Sequence, residues 1–183
     1  LGKPVGDITK EDMLNLTSVS FSSVSNLSGL QYAKNLQSLS LNSYSYYSND
    51  QPVDLSIISN FTNLTYLDIN YSRVEDISFV KGLTKLNRLF LYRNKISDLS
   101  PLSGLENLYE LNLESNKISS LSGIETIINL TNLNLYNNQV EDITPLLENM
   151  ENGGLGSGNY VGLQSNYLEL SQTSKSWKDI QVF

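Results

Sequence analysis

The chain has 183 residues, 39% hydrophobic and 17% charged, enough for one globular core and unlike a disordered polyelectrolyte. Its 12 Lys and Arg stand against 19 Asp and Glu, and the net charge of −7 repels nucleic acid and anionic membranes. With no His and no Cys, the composition excludes disulfides, thiolate or imidazole nucleophiles and the zinc sites built from those residues.

The opening stretch LGKPVGDITKED lacks the charged, apolar, small-residue order of a signal peptide, so the chain reads as an excised piece of a longer protein. No apolar run approaches the roughly 18 residues of a membrane span, and no membrane insertion is expected. Thr9 and Asp12 have capping-box spacing ahead of a short helix with an acidic first turn, predicted as a cap over residues 1–15. A first coil follows through Leu16, Val19 and Phe21, then Val24, Leu27 and Leu30.

From Leu36 the chain repeats. Leucines open successive units at positions 36, 64, 86, 108 and 130, spaced 28, 22, 22 and 22 residues apart. Each unit begins L-x-x-L-x-L, whose last leucines lie two apart as one face of a strand requires. Asn94, Asn116 and Asn138 occupy the ninth place, where an amide can satisfy turn backbone that no ladder reaches. Ile96, Leu99, Leu102 and Leu105 then recur every third residue, predicting a 3₁₀ segment with one apolar face. A second 28-residue unit carries the chain from Leu130 to Gly158, and Val161, Leu163 and Asn166 mark a last coil. Trp177, Ile180 and Val182 are expected to cover its edge. The expectation is one domain: a cap over 1–15, repeats over 16–157, and a last coil with a C-terminal cap over 158–183.

With these units in register, and with text such as NKISDLSPLSGLENL, the chain resembles the bacterial 22-residue leucine-rich repeat domains of internalins and related Firmicute surface proteins. The resemblance covers nearly the whole chain. It implies an α/β solenoid bent into an arc, with a parallel β-sheet on the concave face, 3₁₀ or irregular segments on the convex face and a short N-terminal helical cap. It also implies a non-catalytic recognition module of an extracellular or cell-surface bacterial protein, serving adhesion or host interaction through the concave face.

Enzymatic chemistry would have to rest on carboxylates. Glu110 and Glu114 form the best pair on one strand, yet four residues at strand rise separate them by about 13 Å, too far for a glycosidase pair. Asp50 and Asp54 lack the dense oxygen ligands of a calcium loop and read as a surface turn. The GGLGSG stretch has no following Lys-Ser/Thr and is read as a turn-rich link, not a phosphate loop. No cofactor, metal or catalytic residue is expected.

Function is therefore sought at the variable strand positions. The first two coils place mainly serine there, as in Ser18, Ser20, Ser38 and Ser40. Later coils offer Tyr66 and Tyr71, then Arg88, Phe90, Tyr92 and Arg93, then Tyr109, Glu110 and Glu114, then Tyr136. Phe90, flanked by Asp68 and Asn112, is expected to be an exposed aromatic. Clustered Tyr, Phe and Arg suit a protein-binding hot spot, or the rings cover one another across strands. A protein ligand of a monomeric module is the leading expectation, with carbohydrate or cell-wall binding and a structural spacer as alternatives. The six-residue excess in the Leu36 unit adds Tyr44, Tyr46 and Tyr47, expected at the rim, with Tyr46 and Tyr47 exposed beside Tyr71 and Arg73.

Overall fold

The computed structural model describes residues 8–22, 24, 26–41 and 53–169. Tyr44, Tyr46 and Tyr47, Asp50, and the expected C-terminal cover of Trp177, Ile180 and Val182 lie outside the described residues.

Thr9 and Asp12 form the predicted capping box. The Asp12 N–H donates to the Thr9 hydroxyl at 3.1 Å, and the Thr9 N–H donates to the Asp12 carboxylate at 2.8 Å, opening helix α1 (Lys10–Leu14). Lys10 lies 4.6 Å from the centre of the Tyr32 ring, tying this helix to the next turn. Among the described residues the cover is partial. Leu16, Val19, Phe21 and Val24 stay half-buried, and an apolar hollow of about 660 Å³ opens between α1 and the first coil.

Seven strands follow among the described residues: β1 (Ser18–Phe21), β2 (Ser38–Leu41), β3 (Tyr66–Asp68), β4 (Arg88–Phe90), β5 (Glu110–Asn112), β6 (Asn132–Asn134) and β7 (Tyr160–Gly162). They form one parallel sheet in chain order. The register stacks like on like: Leu39, Leu67, Leu89, Leu111, Leu133 and Val161 align as partners across the sheet. Because side chains alternate along a strand, this one row commits the fourth and sixth places to the core and frees the third and fifth. The core is continuous from Leu27 to Leu155, with Leu67, Leu89, Leu111 and Leu133 fully buried.

Five coils return through 3₁₀ turns, at Leu30–Tyr32, Ser56–Asn60, Ser78–Val80, Ser100–Leu102 and Ile124–Thr126. Acidic residues help start three of these turns and the Thr144–Glu151 helix. Asp54, Asp76, Asp98 and Asp142 each accept the backbone N–H two residues on, at 2.9, 2.7, 2.8 and 2.9 Å. The Ser56 hydroxyl and N–H hold the Asp54 carboxyl below the usual range.

The second long unit departs from the irregular convex segment expected. It forms α2 (Thr144–Glu151), started by Pro145 near its N-terminus and buried through Leu146 and Asn149. Asn149 is fully buried and fully used: its amide donates to the Ile124 and Ile127 carbonyls at 2.9 and 3.0 Å and accepts the Leu155 N–H at 2.8 Å. A Cβ at Gly154 would land on that carboxamide, which explains one glycine of the GGLGSG link.

The ninth-place asparagines bind neighbouring coils together. Asn116 donates to Leu91 of the preceding coil at 3.0 Å and to Leu113 of its own at 2.9 Å, and accepts the Ile96 N–H at 3.0 Å. Asn94, Asn138 and Asn166 repeat the arrangement. In the third coil Ser72 takes this place, and its hydroxyl reaches the Leu41 carbonyl at 3.4 Å. A second line runs at the coil ends, where Asn63, Asn107 and Asn129 donate to carbonyls of the preceding coil and Asn35 donates to the Leu14 carbonyl at the end of α1.

Leu111→Ala should destabilise the domain by about 2–5 kcal/mol in denaturant unfolding, since it is fully buried in close-packed surroundings. Asn116→Ala should cost about 2–4 kcal/mol by orphaning buried backbone groups. Asn112→Ala, which removes only a bond to the Glu114 N–H on the strand face, should cost less than about 1 kcal/mol.

Candidate functional site

On the open face of the sheet the third places run Ser18, Ser38, Tyr66, Arg88, Glu110, Asn132 and Tyr160, and the fifth places Ser20, Ser40, Asp68, Phe90, Asn112, Asn134 and Gly162. Large side chains begin only at β3. Two clusters form there.

The first lies on the strands. The rings of Tyr66 and Phe90 approach to 5.5 Å, and the Arg88 guanidinium sits 5.0 Å from the centre of the Tyr66 ring. Asp68 anchors it from below, accepting from Ser40 at 3.4 Å, Tyr66 at 3.4 Å and Asn70 at 2.5 Å. Phe90 has the predicted neighbours, Asp68 and Asn112, yet it is half-buried and not openly exposed as expected. The Tyr66 ring covers it, since aromatic pairs across adjacent strands shelter each other.

The second lies just past the strand ends. Tyr71 and Tyr92 meet edge to face at 4.9 Å, and the Arg93 guanidinium stands 5.5 and 5.3 Å from their ring centres. The Asn70 carboxamide fixes this rim by accepting the Tyr92 N–H at 2.7 Å. Tyr71 and Arg93 have left-handed backbone, with φ of 56° and 53°. Ser115, Asn137 and Ser165 share this conformation in later coils, so the turn imposes it. Asn tolerates it readily; for Tyr and Arg it costs about 1–2 kcal/mol.

A scan against family models matches leucine-rich repeats in two overlapping pairs of copies, at residues 62–107 and 84–126. Among solved structures, internalin C2 of Listeria monocytogenes superposes with a TM-score of 0.74 at 29% identity, over 88% of this chain and 67% of that one. An internalin, InlF, of the same organism gives 0.75 at 32% identity, over 88% and 45%. The chain is a leucine-rich-repeat solenoid similar to these internalins. A leucine-rich-repeat protein of Leptospira interrogans shares the fold, with a TM-score of 0.71 at 22% identity over 95% of this chain and 49% of that one. The domain thus spans about half the length of two of these three neighbours. A search of curated proteins finds no match.

The internalin-like domain gathers six of the residues singled out from sequence into the two clusters: Tyr66, Arg88 and Phe90, and Tyr71, Tyr92 and Arg93. Glu110 and Glu114 lie on the next coil, half-buried, with Glu114 accepting from the Asn134 amide at 2.9 Å. Tyr109, one residue ahead of β5, and Tyr136, past β6, are each 41% exposed and stand apart from either cluster. Arg73 does not join Tyr71 on the strand face; it lines a groove of about 750 Å³ with Asp54, Glu75, Phe79 and Lys95. The chain's three arginines, Arg73, Arg88 and Arg93, all fall within two adjacent coils.

Burial pushes the Tyr66 phenol up, with the Asp68 carboxylate adding to it, and the Tyr71 hydroxyl bonded to Tyr92 does the same there. Both shifts favour the protonated phenol in the folded chain. Their stabilisation is complete below the unfolded tyrosine value of about 10 and is lost as pH rises through the raised folded values. Spectroscopic titration of Tyr71→Phe should therefore move Tyr92 down towards the ordinary range; an unmoved Tyr92 would contradict the hydroxyl pairing.

Proposed function

We propose that the domain is a non-catalytic recognition module that binds a protein partner through the strand face and rim of the third and fourth coils. In this reading it belongs to a secreted or cell-surface bacterial protein of Firmicute origin and acts in adhesion or host-cell interaction. The reading is supported above all by the chemistry of the patch. Tyr66, Phe90, Tyr71 and Tyr92 supply large, semi-rigid contact area, while the exposed guanidinium groups of Arg88 and Arg93 stand 5.0–5.5 Å from ring centres and suit bidentate bonds to a partner. Hydrogen bonds to Asp68 and Asn70 already hold the patch in place, which reduces the ordering entropy a partner must overcome.

Backbone strain supports the same reading. Tyr71 and Arg93 occupy a left-handed position that the sixth coil gives to Asn137, the residue type that tolerates it. A costly residue at a place with a cheaper alternative points to selection for something other than stability. The carbohydrate reading of these rings is weaker, because one face of Tyr66 and of Tyr71 and Tyr92 already carries a guanidinium.

Arg93→Asn separates binding from folding, since it reproduces the Asn137–Asn138 pair of the sixth coil at places eight and nine. Its unfolding midpoint should equal or exceed that of the wild type. In pull-downs from host-cell surface extracts, Arg93→Asn and a Phe90→Ala/Tyr92→Ala variant should lose proteins that the wild type retains. Equal recovery by all three would reject the patch as the binding surface and leave a spacer role.

A further inference from the structure

Beyond the aromatic patch, along the same rim, the eighth to tenth places of the later coils enclose a groove of about 470 Å³. Its floor is the row of ninth-place asparagines, whose amides are committed to backbone. Its walls are Arg93, Ser115, Asn137, Gln139 and Tyr167. We infer that this groove is a saccharide-binding site, with a preference for sugars that carry a carboxylate.

Five features lead to that ligand. The walls are amide, hydroxyl and guanidinium groups, with no apolar anchor pocket of the kind a protein hot spot fills. The volume admits about two pyranose rings, within the range of small-molecule sites. Tyr167 is 64% exposed, the most open of the large apolar or aromatic side chains among the described residues. Its ring offers the electron-rich face on which the C–H face of a pyranose stacks, while its hydroxyl remains free to bond.

The hydrogen-bonding capacity is also unspent. The Asn137 amide donates to the Ser115 hydroxyl at 3.1 Å, which leaves the Asn137 oxygen and the Ser115 proton for a ligand. The Gln139 side chain is half-buried, and no hydrogen bond within the described residues engages its amide. Paired donor and acceptor groups at this spacing match vicinal sugar hydroxyls, each of which both donates and accepts. Arg93 supplies the only charged side chain among the described residues that line the groove, and its planar fork suits a carboxylate. The aromatic patch is not required for this site, apart from Arg93, which stands at the boundary of the two.

The test is an array of uronic-acid, sialylated and neutral oligosaccharides, probed with wild type, Tyr167→Ala and Phe90→Ala, followed by saturation-transfer NMR on the best glycan. Acidic glycans should bind the wild type and Phe90→Ala alike, weaken about tenfold or more with Tyr167→Ala, and weaken as salt is raised. Circular dichroism of Tyr167→Ala should match the wild type, because an exposed ring contributes little to the core. No binding across the array, or binding unchanged by Tyr167→Ala, overturns the site. Binding confined to neutral glycans overturns the role of Arg93. Protein capture that survives Tyr167→Ala keeps the partner reading separate from this one.

Discussion

The rest of the structure depends on one side-chain amide, repeated. A coil that turns from strand to 3₁₀ segment leaves carbonyls and N–H groups that the parallel ladder cannot reach, and in a solenoid those groups are buried between neighbours. The ninth-place asparagine resolves this with a planar group that donates twice and accepts once, bridging its own coil and the one before. An aliphatic side chain would fill the space and leave about 1–3 kcal/mol of penalty at each orphaned group. Leucine burial supplies the driving force, but it is non-directional. The amides make the stacking specific.

That specificity is what gives the surface its meaning. Once Leu67, Leu89 and Leu111 are held opposite one another, Tyr66, Arg88 and Glu110 must form one row, and Asp68, Phe90 and Asn112 the next. Residues 22 apart in sequence become neighbours about 4.8 Å apart across the sheet. Two coils rich in Tyr and Arg therefore produce one dense patch, while coils of serine on one side and asparagine on the other leave its surroundings polar. The left-handed turn at the eighth place projects Tyr71 and Arg93 to the rim, at an energetic cost that the asparagine of the sixth coil avoids.

Most of the fold was legible because a 22-residue period converts directly into strand register. The leucine positions, the asparagine ladder and the capping box at Thr9 and Asp12 all carry local patterns with a single structural reading. Helix α2 was less legible. Its 28-residue unit shows only that extra chain exists, and the choice of helix depends on Asn149 finding the Ile124 and Ile127 carbonyls across the coil boundary. The caps at Asp54, Asp76, Asp98 and Asp142 were visible as acidic residues, but their N–H partners lie two residues on in turns not resolved from sequence. At the candidate site, the sequence pattern put Tyr66, Arg88 and Phe90 on the open strand face and misjudged the exposure of Phe90. Whether Phe90 is open or sheltered depends on the Tyr66 rotamer, which no periodicity encodes.

Amide hydrogen exchange tests the central claim most directly, because the ladder makes a prediction at individual N–H groups outside any strand. The N–H groups of Val74, Ile96, Ile118 and Val140 donate to asparagine side chains. Their protection should match that of the strand amides of Leu89 and Leu111, and Asn116→Ala should abolish it at Ile96 first. Rapid exchange at these four positions beside slow exchange in the strands would contradict the account.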